Sequence, residues 1–81
     1  MNFQELQRRL TTLLRERIRS GELTERRLAR VTGVSQPHIH NVLKGKRLFS
    51  IDTADAVLYG LQLDILDLLH REDVLEWQLR Q

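Results

Sequence analysis

Apolar residues recur at steps of three and four along almost the whole chain, and each run opens on a side chain suited to capping a helix. Phe3, Leu6, Leu10, Leu13, Leu14 and Ile18 make one stripe, with Asn2 as its N-cap and Glu5 three residues on as a box-like partner. Ser20-Gly21 ends it. Thr24 heads a second, short run with Leu23 and Leu28 spaced as a hydrophobic staple, and Gly33 stands where a C′ residue must take positive φ. Ser35 heads a third, with Val34 and Ile39 as the staple and Ile39, Val42 and Leu43 facing inward, and Gly45 stops it. Pro37 falls in its first turn, where a missing N–H has no intrahelical partner, so this helix starts at Gln36. Ser50 heads a fourth, with Ala54, Val57, Leu58 and Leu61 inside, and Asp64 a fifth containing Ile65, Leu66, Leu68 and Leu69. The closing DVLEWQLRQ is expected as a final turn or an ordered tail. No stretch alternates with the period of a half-buried strand, so the expected fold is all-α, a compact five-helix domain.

A chain of 81 residues suits one core, and a single domain is expected over residues 1–81. Its hydrophobic share of 41% is enough to fold, and with no cysteine the chain uses neither disulfides nor thiolate chemistry. No apolar run is long enough to span a bilayer and MNFQELQRRL does not resemble a signal peptide, so no membrane partner and a cytoplasmic location are expected.

Charge divides the sequence more sharply than its net +2 suggests. Residues 1–50 hold 11 Lys or Arg against 4 Asp or Glu, a surplus of +7, whereas residues 51–81 hold 2 against 7, or −5. The basic part suits a polyanion, although arginines such as Arg8, Arg9, Arg15, Arg17 and Arg19 would look the same on a helix face turned only to water.

The run from Leu23 to Leu69 resembles the helix-turn-helix domain of the Cro and lambda-repressor-like (XRE-type) family of transcription regulators. The features that carry the resemblance are Leu28-Ala29, the Gly33-Val34-Ser35 corner, Ile39, Gly45 with its basic flanks, Asp52-Thr53, Leu61 and Asp64, in order and at matching spacing. It covers more than half the chain, with residues 23–47 as the motif core. Ala29 would let the two helices approach, and Gly33 would permit the sharp corner between them.

With Ile39, Val42 and Leu43 inside, a step of 100° per residue turns Pro37, His40, Asn41 and Lys44 outward, with Gln36 and His38 flanking. Such a face carries hydrogen-bonding groups that match base edges in the major groove. By resemblance, Gln36, Pro37, His38 and Asn41 occupy base-contacting positions, to which the outward His40 is added, and Lys44, Lys46 and Arg47 occupy backbone-contacting ones. Each residue also has a plainer role as a surface side chain or as a basic helix end that complements the dipole. Three features depart from the family pattern. Glu25 stands where a phosphate-donating glutamine is common, leaving Arg26 or Arg27 to supply that contact; Pro37 offers only apolar contact; and Gln62 replaces a glycine at the end of the fourth helix, so a differently built corner is expected there.

His38 and His40 diverge on a helix and His70 belongs to another element, so no metal is expected, and no cofactor. Paired carboxylates, a nucleophile with a base and a phosphate-cradling loop are all missing from the pattern, which speaks against an enzyme. Two functions remain. The resemblance implies a sequence-specific regulator of double-stranded DNA, most simply a repressor, associated with the nucleoid when bound and acting as a homodimer through Leu69, Val74, Leu75, Trp77 and Leu79, with residues 71–81 at the interface. The alternative is an interaction module that keeps the fold but binds a protein partner, as an antitoxin does, using the same tail.

Overall fold

The computed structural model describes residues 2–69 and 71–80, with side chains in the last helix from Leu75 onward. Among these residues the chain is all-helical, with no strand: α1 (Phe3–Arg19), α2 (Glu25–Thr32), α3 (Gln36–Leu43), α4 (Ile51–Gly60), a 3-10 turn (Ile65–Leu68) and α5 (Arg71–Leu79). The expected caps are the observed ones. Asn2, Thr24, Ser35 and Ser50 each accept a backbone N–H three residues on, from Glu5, Arg27, His38 and Thr53. At the first of these the box is only half made, because the Glu5 carboxylate turns to Arg8 and Arg9 instead of back to the cap.

The expected fifth helix is corrected. Asp64 does cap, and it forms a full capping box with Asp67, but the element is a single 3-10 turn whose Ile65 and Leu66 are exposed and whose Leu68 alone is buried. Four residues ending at an extended Leu69 offer one apolar contact to the core, too little to carry an α-helix onward. The helical tail is instead α5.

One core joins α1 to α4 and the 3-10 turn: Leu10, Leu14, Leu23, Leu28, Ile39, Val42, Phe49, Ala54, Val57 and Leu68. α2 sits between α3 and α4, and α1 packs on α3 and the 3-10 turn. The close approach of α2 and α4 depends on Gly60, since a Cβ there would lie 2.7 Å from the Val31 carbonyl oxygen and 3.1 Å from Thr32 Cγ2. The corner after α4 is the reverse of what its missing glycine suggested. Gln62 adopts φ +56°, and the N–H groups of Gln62 and Leu63 donate to the carbonyls of Tyr59 (3.0 Å) and Leu58 (2.7 Å), which is the ordinary Schellman closure. The left-handed residue costs about 1 kcal/mol without glycine. Leu58 and Leu63, at the C3 and C″ positions, both pack on the core and hold the turn closed.

Two polar residues enter the core from α1. Gln7 and Thr11 are buried at 3% and 7% exposure, and Thr11 Oγ1 donates within α1 to the Gln7 carbonyl at 3.0 Å. The Gln7 side chain reaches the loop before α4: its Nε2 donates to the Phe49 carbonyl and its Oε1 accepts the Phe49 N–H at 3.3 Å. Both main-chain groups of a buried loop residue are thereby satisfied by one side chain.

Candidate nucleic-acid interface

The segment from α2 to α4 is held at its corners by its own polar groups and by two side chains of α1. Gly33 takes φ +75° and donates to the Ala29 carbonyl at 2.9 Å, while Thr32 Oγ1 donates to the Leu28 carbonyl (2.7 Å) and accepts the Val34 N–H (3.2 Å). The chain then enters α3 at Ser35, with Ile39 fully buried and Val34 packed on the core beside it. The angle between α2 and α3 is thus set by a left-handed residue, a hydroxyl bridge and an apolar contact.

α3 ends in a second closure. Lys46 N–H donates to the Asn41 carbonyl at 2.9 Å and Gly45 N–H to the Val42 carbonyl at 3.0 Å, with Gly45 at φ +79°. Arg15 of α1 adds a charged clamp, its Nε donating to the Leu43 carbonyl at 2.8 Å, where a cation complements the negative end of the helix. The loop that follows is pinned by Gln7 at Phe49.

The side chains expected to act together are partly brought together. Gln36, Pro37, His40 and Asn41 line one shallow concavity, and Glu25 from the first turn of α2 completes it. Lys44, Lys46 and Arg47 are exposed at the end of α3 and just beyond it. Arg47 borders a separate groove with Phe3, Gln4, Arg8 and Leu48 on the α1 side. His38 lies off this face: it is half-buried, with its ring 6.0 Å from that of Phe49 in an edge-on arrangement at 63°. Arg26 is exposed, but Arg27 lines a different depression, beside Arg17, Glu22 and Gln62. Of the two candidates for replacing a contact at Glu25, Arg27 therefore borders a different surface.

Glu25 itself does something its place in the sequence did not suggest. Its carboxylate meets the His40 imidazole, with Nδ1 3.1 Å from Oε1 and 3.4 Å from Oε2. The side chains are 29% and 51% exposed, so the pair sits at the rim of the concavity and contributes little stability. Fifteen residues and a corner separate the two, and no spacing rule links them. Gln7 had a weak signal, since it falls on the α1 stripe between Phe3 and Leu10, but its partner 42 residues away had none.

In the tail, Leu75, Trp77 and Leu79 are 49%, 61% and 87% exposed, and Leu69 is half-buried. The Val74 side chain and His70 lie outside the described residues. No group of three His, Cys, Asp or Glu able to hold a metal occurs among the described residues, and no helix there is long and apolar enough to cross a membrane. No protein-family model, curated protein or solved structure matches the chain.

Proposed function

We propose that the chain is a sequence-specific DNA-binding transcription regulator of the helix-turn-helix type, with α3 entering the major groove and two copies engaging two half-sites. The observation that carries this is the face of α3. Gln36, Pro37, His40 and Asn41 share one exposed concavity, and a basic segment is fixed to its end by the Asn41 to Lys46 closure. Gln and Asn can pair with an adenine edge, and Lys or Arg beyond the helix can neutralise phosphates. The basic surplus of residues 1–50 and the resemblance over residues 23–69 point the same way. A single eight-residue helix buries little surface on DNA, so pairing of two copies supplies affinity, and the exposed Leu75, Trp77 and Leu79 of α5 offer the means.

The same α5 residues favour a second reading, in which the chain binds a different protein through its tail and α3 is only a surface helix. Two measurements separate them. A DNA regulator is retained on random duplex at low salt and released as salt rises, and it enriches a defined sequence with two half-sites from a random pool. Absence of both, from a folded protein, overturns the DNA reading and favours the protein partner.

A further inference from the structure

We propose that Glu25 is a positioning residue that fixes His40 as its Nδ1–H tautomer and so turns the free Nε2 into an acceptor, making His40 select a base that presents a major-groove donor. The inference rests on the DNA reading above and adds to it the chemical identity of one base.

A neutral imidazole has one nitrogen that donates and one that accepts, and the choice is set by what the ring touches. In His40 that contact is a carboxylate. An ionised carboxylate accepts hydrogen bonds and donates none, so at 3.1 Å and 3.4 Å from its two oxygens Nδ1 must carry the proton. Nε2 then holds a lone pair, and no described residue hydrogen-bonds it. His40 is exposed on the same concavity as Gln36, Pro37 and Asn41, so its unused nitrogen is available to whatever enters there.

Only two groups in the major groove donate hydrogen bonds, the N4 amine of cytosine and the N6 amine of adenine; guanine O6 and N7 and thymine O4 only accept. A histidine locked with Nε2 as acceptor discriminates between these classes. The opposite tautomer, with Nε2–H outward, would seek an acceptor instead, and guanine, thymine and adenine N7 all offer one, so it would not single out cytosine or adenine. Glu25 therefore decides the preference without touching DNA. It also places a negative charge near the entering phosphates, so its removal has two separable effects: a uniform gain for all sequences, and a loss of preference at one base pair.

Tautomer and preference are measured separately. In uniformly 15N-labelled protein at pH 8, two-bond nitrogen to carbon-bound-proton correlations distinguish the tautomers of each histidine ring, and the His40 signals are those lost in His40→Ala. The wild type is expected to show the Nδ1–H form, and Glu25→Ala to revert to Nε2–H, the form an unconstrained imidazole favours. Thr24, not Glu25, caps α2, so this variant keeps its helix; circular dichroism checks that. Selection from a random DNA pool is then expected to give the wild type a preference of about five- to tenfold for cytosine or adenine at one position of each half-site, the scale of one hydrogen bond. That preference flattens in both Glu25→Ala and His40→Ala, while Glu25→Ala binds all sequences more tightly. An Nε2–H ring in the wild type, or an unaltered preference at every position in Glu25→Ala, overturns the proposal and leaves the DNA reading standing. Failure of the wild type to enrich any sequence overturns both.

Discussion

Gln7→Leu isolates a single side chain that ties α1 to the loop carrying Lys46 and Arg47. Leucine fills nearly the same space, yet it strands the N–H and the carbonyl of Phe49, a residue only 2% exposed. Each orphaned buried group costs about 1–3 kcal/mol. Against this, the leucine recovers at most about 2 kcal/mol through its extra apolar burial. The two groups together cost about 2–6 kcal/mol, so with full recovery the net loss is about 0–4 kcal/mol. For a domain of this size a loss of about 2 kcal/mol lowers the midpoint of thermal unfolding by about 8–16 °C. Urea and thermal unfolding followed by circular dichroism measure it, with Gln4→Leu, at an exposed site on the same helix, as the control expected to stay within about 0.5 kcal/mol of the parent. Amide exchange at Phe49 should also accelerate, because its N–H loses its partner. A Gln7→Leu protein as stable as the parent, with Phe49 still protected, would show that the loop is held by other means.

Asn41→Ala is expected to cost about 1–3 kcal/mol on the preferred DNA site and to relax discrimination at one base pair, whereas Arg47→Ala weakens all sequences alike and lowers the salt slope by about one unit per half-site; equal losses for Asn41→Ala on specific and random DNA would move base reading to Gln36. Gly60→Ala should destabilise by about 1–2 kcal/mol, because a Cβ 2.7 Å from the Val31 carbonyl forces α2 and α4 apart by more than the gain in helix propensity returns, and a stabilised variant would refute that close approach. The Arg8 guanidinium, hydrogen-bonded to Glu5, holds that carboxyl below its ordinary value despite the opposing effect of desolvation, and Arg9 acts in the same sense. The lowered folded-state value means that the stabilising contribution is fully present above about pH 4.5 and is lost as pH falls from there through the lower folded-state value, so the stability difference between the parent and Glu5→Gln should vanish in acid; a difference that persists at pH 2 would contradict the assignment. Trp77→Asp should leave a monomer by light scattering at high micromolar concentration if α5 joins two copies, and an unchanged dimer mass would place the interface elsewhere.

Local chemistry was legible wherever a residue acts on its own near neighbours. Asn2, Thr24, Ser35 and Ser50 cap as their types and positions imply, Gly33 and Gly45 take positive φ, and Leu28, Ile39 and Val57 are fully buried on the stripes where periodicity puts them. Asp64 shows where that reasoning ends. A cap and an apolar run announce the start of a helix, but its length depends on what it packs against, and Ile65 and Leu66 stay exposed outside the core. Gln62 shows the converse, since its left-handed conformation is imposed by the Leu58 and Leu63 contacts and not by its own preference. In the candidate site, the exposure of Gln36, Pro37, His40 and Lys44 follows the helical repeat, while Asn41 and His38 are half-buried and the His38 ring lies edge-on to Phe49. Glu25 on His40, Arg15 on Leu43 and Gln7 on Phe49 were not legible, because each joins elements whose relative placement only the packed core decides.

The closure at the end of α3 has a thermodynamic side. Free loops lose backbone freedom when they engage a ligand, at about 1–2 kcal/mol for each residue fixed. Residues 44–46 have lost it already, because the Lys46 N–H is held by the Asn41 carbonyl and Gly45 by Val42. Whatever meets this surface encounters a backbone that is ordered beforehand, so association there should be rigid-body in character. Its heat-capacity change should then follow from the buried area alone, without the excess that accompanies folding on contact.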